Sequence, residues 1–235
     1  MDGTNGWDAS AEAWVASLGE EGDWARRLVL DAPMMARVRA SGARRALDVG
    51  CGEGRFCRLM AAEGIVATGV DPVAGFLARA RARHPEGDYR EGVAEALPVP
   101  DGAFDLAVSY ITLVDVPDLA RAVAEVARAL APGGRFLLAN LTSFKSAEAA
   151  HGGGFAAEPP VVVDGYLGER EVWLEWEGVR VRNWHRPLST YMRLLLEAGL
   201  RLVHFDEPPM RSRDAAAAAR YDRAPWFHVM EWQKP

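Results

Sequence analysis

The chain has 235 residues, 49% of them apolar and 26% charged, and a net charge of -6. That is enough apolar material for one large α/β domain, and the acidic balance argues against a polyanionic partner, so no nucleic acid is expected. A cluster of arginines (Arg26, Arg27, Arg37, Arg39, Arg44, Arg45) falls at helical spacing and reads as a solvated face. Two cysteines, Cys51 and Cys57, stand too close in sequence for a useful structural disulfide, which fits a reducing compartment. The first residues lack a basic and apolar leader, and no window reaches the roughly 18 apolar residues of a membrane span. The expectation is a cytoplasmic protein without a membrane segment.

In chain order, Trp14, Val15, Leu18, Trp24, Leu28 and Val29 recur at helical spacing within residues 8–40 and are interrupted by Gly19 and Gly22, predicting two helices. Trp7, Trp14 and Trp24 suit core or lid packing. Strands are expected at 45–49, 65–70, near Tyr89, at 104–109 and at 135–140, alternating with helices at 54–63, 73–83 and 118–130. Pro132-Gly133-Gly134 reads as the turn before the last of these strands. Such alternation implies a parallel sheet covered on both faces. Residues 145–165, with His151-Gly152-Gly153-Gly154 and Pro159-Pro160, read as a loop or mobile cover. Segments 171–176 and 179–184 alternate with period two around Glu177-Gly178, a β-hairpin. A helix at 188–198 ending at Gly199, strands at 200–205 and 226–232, and a helical alanine run at 215–219 complete the chain.

The chemistry gathers at strand ends. Ala46-Leu47-Asp48-Val49-Gly50-Cys51-Gly52-Glu53-Gly54-Arg55-Phe56 joins a strand to a helix through a glycine turn that lets backbone approach a ligand. By itself the turn also permits a plain strand-helix connection, a phosphate or a dinucleotide. Asp71, the loop at 92–95 and residues 109–115 follow other strand ends, and in parallel sheets ligands sit there, where the strand order reverses.

Together these residues resemble the class I S-adenosylmethionine-dependent methyltransferases, in the group that includes the quinone-biosynthesis enzymes. The resemblance covers residues 40–142 and, more loosely, 183–232. It implies a Rossmann-like, doubly wound, mostly parallel seven-stranded sheet with an antiparallel C-terminal strand, to which N-terminal helices and an inserted β-hairpin are added. The chain then divides, within one methyltransferase domain at 1–235, into a helical cap (1–40), a cofactor-binding core (41–142), an acceptor-side insertion (143–190) and a stretch completing the sheet (191–235). By the same resemblance Asp48, Gly50, Cys51 and Gly52 seat the methionine part of S-adenosylmethionine, and Asp71 with Pro72 holds the ribose hydroxyls. Gly92, Val93, Ala94 and Glu95 form the adenine loop, Ser109 and Tyr110 face methionine, and Leu130-Ala131-Pro132-Gly133-Gly134 precedes the fifth strand. Val93 departs from the pattern, since relatives usually carry an aspartate there. A nicotinamide dinucleotide fits less well: Arg55 takes the place of its third glycine, and Asp48 and Glu53 would repel a pyrophosphate while stabilising an ammonium and a sulfonium.

Methyl transfer needs alignment more than acid-base machinery, and a base only when the nucleophile must lose a proton. Candidate bases are His185, in Asn183-Trp184-His185-Arg186-Pro187-Leu188, then Tyr110 and Asp115; a packing role for His185 is the competing reading. Trp173, Trp176 and Trp184 suggest an apolar, aromatic acceptor, or else a hairpin face packed on the sheet. His84, His151, His204 and His228 lack metal-ligand spacing, so no metal is expected. The sequence thus predicts a methyltransferase for a small-molecule acceptor, monomeric or homodimeric. The alternatives are a noncatalytic S-adenosylmethionine-binding regulator and a nicotinamide-dependent oxidoreductase.

Overall fold

Strand β1 (Arg45–Val49), buried at every position after its first residue, is an interior strand, third from one edge, of a seven-stranded sheet. The computed structural model describes residues 5–19, 21–149 and 162–235; the glycine run at 152–154 and Pro159-Pro160 lie outside the described residues. Around β1 the order is β3 (Asp88–Glu91), β2 (Val66–Asp71), β1, β4 (Phe104–Tyr110), β5 (Leu130–Leu141), β9 (Phe227–Gln233) and β8 (Arg201–Asp206). Within this sheet β9 runs antiparallel to both of its neighbours, while β1 to β5 pair in parallel. The chain reverses its direction of travel across the sheet between β1 and β4, which opens a crevice at their carboxyl ends.

Alternate residues of each strand feed two cores. Leu47, Val49, Ala107, Leu138 and Trp232 face one side, where α5 (Leu119–Ala129) and α7 (Leu188–Glu197) pack. Ala46, Leu106, Val108, Leu137 and Val229 face the other, under α2 (Asp31–Ser41) and α3 (Arg55–Ala62). Helix α5 forms because Leu119, Ala122, Val123, Val126 and Ala129 recur on one face. Its first turn is capped by Asp118, whose carboxylate accepts from the Arg121 N–H at 3.0 Å. Helix α4 (Ala74–Arg83) follows β2.

Three expectations change. Pro132-Gly133-Gly134 lies within β5 rather than ahead of it: Leu130 already pairs with Phe104, and a register shift, not a free turn, carries the chain on to the pairing of Leu106 with Arg135. The tail holds this segment in place, since Gly133 N–H donates to the Lys234 carbonyl and Lys234 N–H to that of Gly134, both at 2.9 Å. Arg37 is not simply part of a solvated face. With Arg135 it engages Glu231, buried in β9, so α2 and the sheet are tied through a carboxylate that would otherwise be left charged and unpaired.

The hairpin of β6 (Arg170–Trp176) and β7 (Val179–His185) forms its own two-stranded sheet and does not pack flat on the large one. Glu177 and Gly178 both adopt positive φ, the requirement of a tight two-residue hairpin turn. The hairpin lies instead against α1 (Trp7–Leu18): Arg180 N–H donates to Ser10 Oγ at 3.0 Å, Arg182 N–H to the Asn5 carbonyl at 2.9 Å, and Trp14 meets Trp176 edge-on at 6.0 Å. After α1 a π-helical turn, Arg26–Leu30, leads into α2. Helices α6 (Ser143–Ala149) and α8 (Ala215–Asp222) complete the fold. No helix among the described residues is long and apolar enough to cross a membrane.

Candidate functional site

A cavity of about 1350 Å³ opens at the carboxyl ends of β1, β2 and β4, under α1 and the hairpin. Its floor is the glycine turn. The N–H groups of Gly50 and Cys51 both donate to the Val70 carbonyl, at 2.8 and 3.1 Å, so the turn is pinned to the end of β2. Gly50 has φ +74°, and a Cβ there would lie 2.1 Å from Thr112 Cγ2. Only glycine lets β1 and the loop after β4 approach so closely.

Two buried carboxylates face this floor. Asp71 accepts from the N–H of Gly52 at 2.8 Å and of Val73 at 2.9 Å, and burial nevertheless raises its pKa to about 6. Asp48 accepts the Cys57 thiol at 3.3 Å through Oδ2, while its Oδ1 finds no partner among the described residues. Burial pushes its pKa to about 7; the charge of Asp71 adds to the rise, while the Cys57 hydrogen bond and the charge of Arg26 oppose it. Cys57 itself stays a neutral thiol, raised by its hydrogen bond with Cys51 and by burial, and both cysteines are unbridged. Glu53 plays a different part from the one its sequence position suggests. Arg58 and Arg83 clamp its buried carboxylate at 2.9 and 2.5 Å, so its charge is spent within the fold. Arg55, at the place of a third glycine, pairs with Asp31.

The remaining expected residues separate into those at the cavity and those away from it. Cys51, Gly52, Pro72, Gly92, Val93, Ala94, Glu95 and Tyr110 line it. Val93 is 38% exposed, and the Glu95 side chain already accepts from the Asp118 N–H at 3.3 Å. Ser109 does not reach the cavity. It is fully buried in β4 between Val49 and Leu138, and the positions that face the opening are the next three, Tyr110, Ile111 and Thr112. Ile111 has φ +59°, a strained conformation for a β-branched residue that turns the chain sharply at the strand end.

His185 is also absent from the lining among the described residues. It is completely buried, Nδ1 meets Ser146 Oγ and Nε2 meets the Tyr166 carbonyl, each at 2.8 Å, and burial lowers its pKa. Both ring nitrogens are used in tying α6 and the segment before β6 to the hairpin. Its neighbour Arg186, equally buried, donates to the carbonyls of Val116 and Pro117, at 2.8 Å each, and so braces the loop after β4. Tyr110 donates its hydroxyl to Asp31 at 2.8 Å, and burial holds its phenol well above the ordinary value.

Asp115 does line the cavity. It accepts from Asn183 Nδ2 at 2.7 Å and from the Trp7 side chain, Asn5 donates to its backbone carbonyl, and burial raises its pKa to about 7. The far half of the cavity is aromatic: Trp14, Trp24, Tyr110, Trp176 and Phe227, with Leu141 and Lys145. The Arg26 guanidinium lies 5.3 Å from the ring centroids of both Trp14 and Tyr110, with Nη1 bonded to Asp23 at 2.6 Å. Trp173 lines the cavity as well, whereas Trp184 instead donates its backbone N–H to the Val114 carbonyl at 2.6 Å. Arg26, expected on a solvated face, instead lies inside the cavity, its side chain 15% exposed, and Asn5 and Lys145 carry no motif; all three reach the site only because the N-terminal segment, the π-helical turn and α6 fold over it.

Residues 47–138 match a family model described as a methyltransferase domain. The solved structure of an S-adenosylmethionine-dependent methyltransferase from Mesorhizobium loti is 30% identical, superposes with a TM-score of 0.73, and aligns over 92% of this chain and 100% of that one. The malonyl-[acyl-carrier protein] O-methyltransferase of Erwinia billingiae is 33% identical over 152 residues, 63% of this chain and 56% of that protein. The demethylmenaquinone methyltransferase of Renibacterium salmoninarum is 34% identical over 128 residues, 54% and 52%. The chain thus spans about half the length of these curated relatives. The chain belongs to the class I S-adenosylmethionine-dependent methyltransferases, and S-adenosylmethionine is the cofactor of that family.

Proposed function

We propose that the protein transfers a methyl group from S-adenosylmethionine to a small-molecule acceptor held in the aromatic half of the cavity. The observation that carries this reading is continuity: one cavity joins the glycine turn, Asp48 and Asp71 to a pocket walled by Trp14, Tyr110 and Trp176. The donor set suits the cofactor. A buried carboxylate oxygen of Asp48 without a partner among the described residues matches an ammonium group, and Arg26, close enough for its charge to act on Asp48, offers the complementary cation for a carboxylate. Each Asp71 oxygen accepts one backbone N–H and keeps a lone pair for a ribose hydroxyl. Adenine would lie along Val93, Ala94 and Glu95, held by backbone groups in place of a carboxylate at Val93.

When bound, the cofactor supplies an electrophilic methyl on a sulfonium. The chain's own task is then to align a nucleophile with that methyl and keep water out, which α1 and the hairpin do by closing over the strand ends. His185 is best read as a structural residue and Tyr110 as a donor that fixes Asp31 and Arg55, so neither is proposed as a base. A noncatalytic regulator would have no use for a second, aromatic half, and a dinucleotide would place its pyrophosphate beside the orphaned Asp48 oxygen. The unbridged cysteines suit a reducing, cytoplasmic setting.

Native mass spectrometry of the purified protein is expected to detect S-adenosylmethionine or its demethylated product, and methyl-labelled cofactor should label a small molecule in a metabolite extract. Retained cofactor binding with no label transferred would favour the regulator; a bound nicotinamide dinucleotide would overturn the reading altogether.

A further inference from the structure

Asp115 stands out among the cavity residues because its carboxylate is built in place without serving the cofactor motifs. It follows the strained Ile111 turn, Asn183 and Trp7 donate to its side chain, Asn5 donates to its carbonyl, and Arg186 fixes the two residues that follow it. Three separate parts of the chain (the N-terminal turn, β7 and the segment after it) therefore converge to hold one carboxylate at the cavity wall, on the loop that packs Thr112 against Gly50.

Resting on the methyltransferase reading above, we propose that Asp115 is the proton acceptor of the reaction and that the acceptor is a neutral hydroxyl on a flat, apolar or aromatic body, a phenol or enol. In the transfer the O–H proton passes to the Asp115 carboxylate, the oxygen lone pair forms the new O–C bond, and the electrons of the broken S–C bond stay on sulfur; the proton then leaves to water.

The surroundings select this class. Asp115 sets a negative charge on the acceptor side, so a carboxylate acceptor meets like charge, and the cations along the cavity already have partners: Arg26 binds Asp23 and faces the cofactor's carboxylate, Arg121 binds the Glu95 carbonyl, and Lys145 lies 4.1 Å from the centre of the Trp226 ring. An ammonium acceptor finds the Trp14 and Tyr110 faces occupied by Arg26. A neutral ring compound needs neither a free cation nor an open π face, and its hydroxyl has Asp115 to donate to at the cavity wall. The charged groups around Asp115 are Asp71 at the end of β2, Asp118 and Arg121 at the head of α5, Arg182 on β7 through Asn5, and Arg186 behind the loop. With a pKa raised to about 7, Asp115 is matched to removing a proton near neutrality.

The test uses the full chain, methyl-labelled S-adenosylmethionine, and sets of ring compounds bearing a hydroxyl, a carboxylate or an amine on the same skeleton. Label is expected on hydroxyl members only, with a rate that rises with pH to a plateau above about 7. Asp115→Asn should reduce transfer by roughly 10²- to 10⁴-fold and abolish the pH step. Its cofactor affinity by calorimetry should stay within about fivefold of wild type, since Asp115 is no part of the cofactor seat. Asp115→Glu should recover part of the rate, which separates proton removal from a packing defect. Transfer to the carboxylate or amine series, an unchanged Asp115→Asn profile, or cofactor binding with no hydroxyl member labelled would each overturn the proposal while leaving the methyltransferase reading intact. Failure of the wild type to bind the cofactor would overturn that reading itself.

Discussion

The two halves of the cavity are built in opposite ways. The cofactor half is made from one short stretch, β1 and its glycine turn, plus Asp71, the last residue of β2, and backbone geometry does most of the work there. The aromatic half is assembled from α1, the π-helical turn, α6 and the hairpin, segments that stand up to about 170 residues apart in Ser10 and Arg180. A site made of backbone tolerates few residues at each position, whereas a site made of side chains can change its walls without changing the fold. The comparison explains why cofactor binding is a family property and acceptor choice is not.

The largest effect should come from the backbone-made half. Gly50→Val places a β-branched residue at φ +74° with its Cβ on Thr112; calorimetry should find cofactor affinity reduced more than about 100-fold, and thermal unfolding a loss of roughly 2–4 kcal/mol. Asp71→Asn removes charge but little volume, and should weaken cofactor binding about 10- to 100-fold with the melting temperature nearly unchanged. Equal affinity in that variant would mean that the carboxylate serves the turn alone. His185→Ala sharpens the contrast from the other side. It leaves Ser146 Oγ and the Tyr166 carbonyl without their partner, so stability should drop by about 1–3 kcal/mol while cofactor affinity holds; a selective loss of turnover without loss of stability would restore a catalytic role.

Proton linkage offers a subtler reading of the same acids. Asp48 and Asp71 have folded pKa values of about 7 and 6, above the ordinary 3.8, so between these values the native state binds more protons than the unfolded chain. Stability without cofactor should therefore fall as pH rises from about 4 to 7 and level off above that. A cationic ligand favours the ionised acids, so the increase in melting temperature on adding S-adenosylmethionine should be larger at pH 8 than at pH 5. A ligand-induced shift independent of pH would place the ligand's positive charge away from Asp48. The smallest effect is expected at the adenine loop: Val93→Asp supplies the carboxylate that the family resemblance leads one to expect there and should tighten cofactor binding by a few fold, and no gain would show that backbone groups already satisfy the ring.

Much of this was legible in the sequence because its signals are local. The alternation of strands and helices, the Glu177-Gly178 turn and the acid twenty-odd residues past the glycine turn all follow from short-range patterns, and the strand order and the single antiparallel strand agree with the family resemblance. The side chains that misled did so for one reason: a sequence position says which residue follows a strand but not which way it faces. Ser109 belongs to the strand end by count, yet strand alternation puts it on the covered face it shares with Ala107, under α5 and α7, and leaves Tyr110 at the opening. His185 sits in a promising segment, yet its ring points back to Ser146 and Tyr166. Glu53 looks like a free acid, yet two arginines from α3 and α4 neutralise it.

By itself, then, the sequence determined the sheet and the glycine turn, since these rest on backbone conformation and periodic burial encoded within a few residues of one another, and the family resemblance carried by its motifs implied the cofactor and the place of Asp71. Only the tertiary structure decided that Asp115 rather than His185 reaches the cavity, that Arg26 leans over Trp14 and Tyr110, and that the hairpin closes on α1 rather than on the sheet. Those outcomes depend on which distant side chains must be desolvated together, a question that is settled when the segments pack.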